Sequence, residues 1–231
     1  MERAAPLRWL ESRFLRRHLH GRGIEIGALW RRFPVPRRTQ VWYADRLSGA
    51  ALAEHYPELT GRILPSDLVA NAAQLPVAPA SLDFLIASHL LEHLPFPLAA
   101  LRAWYEALAP GGVLLLKIPD KRYTFDAPRE RTSLAHLLQE YEHPARFDAP
   151  AHYADWVEHV GGRSRETPEF ESELRDLMHR DYSIHFHVWI DADVREMIDF
   201  TRKAWKLDWT PVLFWPAHFY RKETTVLLRR M

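Results

Sequence analysis

Two polar clusters stand at the ends of two apolar runs. Ser88-His89 follows Leu82–Ala87, and Asp120-Lys121-Arg122-Tyr123 follows Val113–Ile118, with Asp126 close behind. Histidine titrates near neutrality, so His89 suits general-base work on a hydroxyl. Arg122 offers a planar fork for an anionic or polyhydroxylated group. Asp120 beside it supplies a carboxylate for orientation or proton transfer, although an internally paired salt bridge is the competing reading. Lys121, Tyr123 and Asp126 complete a candidate acceptor-binding patch. Farther along, His185-Phe186-His187 would place two imidazoles on one side of an extended segment, where they could line the substrate. With Asp191 or Asp193 nearby a metal is conceivable, but without a firm third ligand no metal site is expected.

Three earlier positions have the chemistry of a nucleotide-like ligand. Glu25-Ile26-Gly27-Ala28 ends a short apolar run, and a glycine there lets a ligand approach the backbone. Asp45 closes the next run, 20 residues after Glu25, where an acid commonly accepts from ribose hydroxyls. Asn71, followed by Ala72, offers an amide that both donates and accepts, as an adenine edge requires.

The elements that must position these residues follow from periodicity. Strands are predicted at 23–27, 41–45, near 62–66, at 82–87 and at 113–118, with two final strands at 207–215 and 223–229. A helix over 6–19 stops at Gly21, a short one lies around 48–56, and another has Leu98, Leu101, Tyr105 and Leu108 on one face. Gly111-Gly112 then opens a strand buried on both sides. From 124 to 188 the alternation breaks into helices marked by Leu134–Tyr141, by Tyr153–Val160, and by Thr167 as a cap. This helical insertion is a candidate lid. Asp191 is expected to cap the next helix. The whole, residues 1–231, reads as one domain, with 1–20 as an N-terminal helix.

Composition narrows the function classes. Thirty-one basic residues against 30 acidic ones give a formal net charge of +1, which argues against nucleic acid despite the arginines at 31, 32, 37 and 38. There is no cysteine, so thiolate catalysis and disulfides are excluded. No run is long and apolar enough for a membrane span. A cytoplasmic protein is expected.

The run ASHLLEHLPFPLAALRAWYEALAPGGVLLLKIP, with Glu25-x-Gly27 and Asp45 before it, resembles the class I S-adenosylmethionine-dependent methyltransferases. The likeness covers about 22–119 and resumes at about 191–229. Leu29 stands where the family usually has a second glycine, and Asn71 where it more often has aspartate. The EIGAL and PDKRYTFD segments resemble a bacterial subgroup associated with glycan synthesis. The resemblance implies an α/β fold: a Rossmann-like seven-stranded sheet, mostly parallel, with a C-terminal antiparallel hairpin and a helical insertion after strand five. It implies S-adenosylmethionine held by Glu25, Gly27, Ala28, Asp45, Arg46, Asn71, Ala72 and Ser88. It further implies methylation, as an expectation O-methylation, of a small-molecule or glycan acceptor. The alternatives are a non-catalytic scaffold of the same fold and a nicotinamide-dependent oxidoreductase, the latter opposed by the missing Gly-x-Gly-x-x-Gly.

Overall fold

Alternate residues of the central strands enter two different apolar layers. Leu85, Ala87, Leu114 and Leu116 join one buried cluster with Ile24, Ile26, Leu98, Leu101 and Trp104. Phe84, Ile86, Val113 and Leu115 join another with Leu15, Leu19 and Leu227. That two-residue period is what a strand covered on both faces demands. The computed structural model describes residues 13–231.

Seven strands form one sheet: β1 (Arg22–Ile26), β2 (Gln40–Asp45), β3 (Leu68–Val69), β4 (Leu82–Ser88), β5 (Leu108–Pro119), β6 (Trp209–Trp215) and β7 (Glu223–Arg230). Their order is β3-β2-β1-β4-β5-β7-β6. β1 to β5 pair in parallel, whereas β7 lies antiparallel to both β5 and β6. The predicted Rossmann-like sheet and its C-terminal antiparallel pair are therefore present. Strand order reverses between β1 and β4, and open α/β sheets bind ligands at such a switch, beyond the carboxyl ends of the strands.

From residue 49 on, six α-helices accompany the sheet: α1 (Gly49–His55), α2 (Pro97–Ala107), α3 (Leu134–Glu142), α4 (Ala149–His159), α5 (Pro168–His179) and α6 (Asp191–Lys203). Ser48, Ser133, Asp148 and Thr167 cap α1, α3, α4 and α5 through side-chain oxygens that accept from backbone N–H groups. α3 to α5 lie between β5 and α6, within the helical stretch predicted for 124–188. α4 and α5 share a small core of their own with Tyr153, Val157, Phe170 and Leu177, which Ile184 and Phe186 complete. Leu137 of α3 and Trp189 instead belong to the main core, so the insertion is packed on the body at both its ends.

Four details differ from the sequence expectation. β3 is two residues at 68–69 rather than a strand near 62–66, because Gly61 turns left-handed (φ 76°) and Pro65 has no N–H to donate. Leu108 starts β5 rather than ending α2, and Trp104 takes the buried place on the helix. Asp191 is the first residue of α6, not its cap. Asp193 supplies the capping contact, accepting from the Ile190 N–H at 2.9 Å. Of the predicted N-terminal helix, 6–12 lies outside the described residues; the helix ends at Arg16, short of the expected end at 19, and the left-handed Gly21 (φ 81°) lies beyond it.

Candidate active site

β1 ends in a turn that shapes the floor of a cleft of about 630 Å³, within the range of small-ligand sites. Gly27 has φ +70°, and a Cβ there would meet Leu90 at 3.0 Å, so this position needs glycine. Leu29 takes φ 47°, the left-handed conformation that a second glycine would adopt freely. A non-glycine residue holds it at a cost on the order of 1 kcal/mol or more. The turn therefore keeps its shape without the second glycine, and the cleft above it is open.

Glu25, 2% exposed, points into this cleft. Both its oxygens accept from the Phe33 N–H at 2.9 Å, which folds the arginine-rich loop back over the end of β1. Burial raises its pKa to about 7, against the opposing pull of that hydrogen bond and of Arg32. A buried carboxylate of this kind is suited to an ammonium group.

The opposite wall comes from β4, β5 and β7. His89 leaves β4 with a left-handed backbone (φ 53°), which turns the chain sharply out of the sheet. Its imidazole is half exposed, and Nε2 lies 2.7 Å from Glu223 Oε2 at the start of β7. Lys117 of β5 binds the other Glu223 oxygen at 2.5 Å. Burial opposes charge on His89, but the Glu223 hydrogen bond and the nearby Glu92 outweigh it and raise its pKa. For Glu223 burial is likewise outweighed, by His89 and Lys117, and its pKa falls below the usual carboxylate range. Ser88, His89, His93, Lys117 and Glu223 all line the same cleft as Glu25, Gly27 and Ala28.

Other expected ligand residues sit beyond that lining. Asp45 accepts from its neighbour's N–H at 2.7 Å, and burial raises its pKa. Arg46 is bound across to the insertion: its guanidinium pairs with the Asp181 carboxylate, reaches the Asp181 carbonyl at 3.0 Å, and lies 2.8 Å from His55 Nε2. Asn71 Oδ1 accepts from the Ala73 N–H at 2.8 Å, and the Ala72 carbonyl accepts from Trp104 Nε1 at 2.8 Å. Asp45 is the last residue of β2, and Asn71 and Ala72 follow the carboxyl end of β3.

The cluster after β5 changes meaning. Asp120 is buried and grips Arg122 through Nε at 2.9 Å and Nη2 at 2.6 Å, while Arg122 also pairs with Asp191 of α6. This clamp ties β5 to α6, and neither residue lines the cleft. Lys121 Nζ donates to the Ala127 carbonyl at 2.7 Å, so it serves a turn, and Tyr123 lies in the same short helical turn. Asp126 is buried between Arg129 Nη1 at 3.0 Å and His185 Nδ1 at 2.8 Å, out of reach of an acceptor. His187 is 0% exposed and cannot touch substrate either.

Sequence reasoning missed Glu223, Lys117, His93 and Glu92. Glu223 is 134 residues from His89, and nothing but the antiparallel placement of β7 against β5 brings it there. Glu92 and His93 follow β4 directly, inside the run that carries the family resemblance.

A family model described as a methyltransferase domain matches residues 7–163. Among solved structures, a Rhodobacter sphaeroides protein named for zinc-dependent alcohol dehydrogenases aligns over 95% of this chain and 88% of its own, at 16% identity and a TM-score of 0.56. The PH0226 protein of Pyrococcus horikoshii aligns over 100% and 92%, at 12% identity and a TM-score of 0.51. A structure described as SAM-dependent methyltransferases, from Methanosarcina mazei, aligns over 94% and 97%, at 15% identity and a TM-score of 0.50. At such identities the likeness fixes the fold alone. No curated protein matches the chain.

Proposed function

Because the chain belongs to the methyltransferase-domain family, as a class I S-adenosylmethionine-dependent enzyme, we propose that it methylates a hydroxyl on a small-molecule or glycan acceptor. The observation that carries this reading is the His89–Glu223 pair facing the Glu25–Gly27 turn across one cleft. The cofactor, when bound, supplies an electrophilic methyl on a sulfonium. The residues present fit it: a glycine turn for close approach, a buried carboxylate for its ammonium, and Asp45 and Asn71 at successive strand ends for ribose and adenine.

The protein's own contribution is alignment, dryness and a proton acceptor. Holding two reactants in line can supply several kcal/mol of the barrier. His89 would take the proton from the acceptor's hydroxyl as that oxygen accepts the methyl group. Glu223 orients the imidazole and stabilises its protonated form, and Lys117 keeps Glu223 ionised. General-base assistance of this kind is worth about 10²–10⁴ in rate. α4 and α5 act as the candidate lid, joined to the cofactor side through Arg46 and Asp181.

The test is turnover of methyl-labelled cofactor against a panel of polyhydroxylated small molecules and sugars. The expected result is labelled ether product from the parent, and from His89→Ala retained cofactor binding without turnover. Exclusive labelling of nitrogen acceptors, or full turnover by His89→Ala, would overturn the O-methyltransferase reading.

A further inference from the structure

We propose that Glu92, His93 and His185 form a binding site for a divalent transition-metal ion, which pins the insertion to the sheet at the edge of the cleft. Each of the three offers a ligand atom, and those atoms all lie within 4.8 Å of one another. Glu92 is 1% exposed, and neither of its carboxylate oxygens has a hydrogen-bond partner. A fully buried carboxylate in that condition is costly to the fold, and buried charges are ordinarily paired or metal-bound.

The imidazoles are already oriented as ligands. His93 Nδ1 faces the Ile184 carbonyl at 2.9 Å, and His185 Nδ1 faces the Asp126 carboxylate at 2.8 Å. An outer acceptor on one ring nitrogen fixes the tautomer and leaves the other nitrogen free to bind metal. His185 Nε2 accordingly lies 4.0 Å from Glu92 Oε1. Arg129, bound to Asp126 and to Asp155 of α4, secures the outer carboxylate in turn. Two imidazoles to one carboxylate favour zinc or a similar borderline ion over magnesium or calcium, which prefer oxygen ligands. His93 lines the cleft, and His89 Nδ1 stands 3.7 Å from Glu92 Oε1.

A second cluster must be kept apart from this one. His136, His152 and His187 also converge, around Glu140. There Glu140 Oε1 already lies 3.0 Å from His136 Nε2 and 2.8 Å from His152 Nε2, so that carboxylate is engaged without an ion.

The experiment strips the purified protein with chelator and titrates it with zinc by calorimetry, without cofactor. Parent, Glu92→Gln, His185→Ala and His152→Ala are compared, with circular dichroism confirming that each is folded. Zinc at 100 times its Kd should raise the parent's thermal midpoint by about 5–10 °C. The proposal expects parent and His152→Ala to share a tight equivalent that Glu92→Gln and His185→Ala both lack. Should His185→Ala fail to fold, Glu92→Gln decides alone, since it keeps the side-chain shape. The proposal is overturned if the parent binds no zinc at micromolar concentrations, if Glu92→Gln binds as the parent does, or if the equivalent disappears in His152→Ala instead.

Discussion

Glu25 should make cofactor affinity depend on pH in a direction opposite to its effect on stability. Its carboxyl is held at about 7, against an ordinary 4.5, chiefly by burial. An ammonium ligand needs the ionised form. With a pKa near 7, about one carboxyl in ten is ionised at pH 6 and about nine in ten at pH 8, so the Kd should tighten about tenfold over that interval, or ~1.4 kcal/mol. Binding at pH 6 should release close to one proton, measurable by calorimetry in two buffers of different ionisation enthalpy. Stability runs the other way. A folded pKa above the unfolded one favours the protonated form, so the Glu25 contribution is complete below pH 4.5 and is lost as pH rises through about 7, on the order of 3 kcal/mol in all. Glu25→Gln keeps an oxygen for the Phe33 N–H and removes the charge. It should be more stable than the parent at pH 8, bind cofactor more weakly there, and show no pH slope in Kd. A parent whose affinity is flat between pH 6 and 8, or a variant with the same slope, would refute the assignment.

Three further outcomes follow from the geometry. His89→Ala should lower kcat by about 10²–10⁴ while leaving cofactor Kd within about twofold, read by single-turnover kinetics and calorimetry. Asp181→Ala removes the insertion's tie to Arg46; because that pair is exposed it should cost under about 1 kcal/mol in a urea melt, yet hydrogen exchange should quicken in α5 and the residues after it. Trp104→Phe deletes the donor to the Ala72 carbonyl inside the core and should cost about 1–3 kcal/mol, with slackening of the turn at Asn71 visible in cofactor affinity.

The sheet was legible because β4 and β5 carry continuous apolar runs closed by turn residues, and such runs state both their length and their burial. The ligand face followed from topology, since parallel strands present their carboxyl ends together. Ser88, His89, Glu25 and Gly27 were legible for the same reason: each sits at a strand end in sequence. Glu223 was not, because its partner lies across an antiparallel pairing that no local pattern encodes. Asp120 and Arg122 follow β5 as expected, but they pair with each other and with Asp191 and do not line the cleft. A dense polar cluster reads alike whether it binds a ligand or itself, and the deciding residue, Asp191, arrives 69 positions after Arg122.

The His185-Phe186-His187 segment shows the same limit from the other side. Had it been a regular strand, residues two apart would share a face and both imidazoles would line one surface. The chain bends at Phe186, whose ring enters the small core of the insertion. His185 is thereby turned toward His93, 4.6 Å between ring centres, and His187 toward His152, 5.3 Å away. The third ligand that local sequence failed to supply is Glu92, which departs from β4 just past His89. Its distance from His185 along the chain is bridged where the His187 N–H donates to the Glu92 carbonyl at 3.2 Å. That backbone contact holds the returning insertion against the strand-four turn, so the cleft wall and the two histidine clusters are set by one local packing event. Disturbing the bend, as Phe186→Ala would, should therefore perturb zinc binding and cofactor-site geometry together, whereas His152→Ala should leave the first intact.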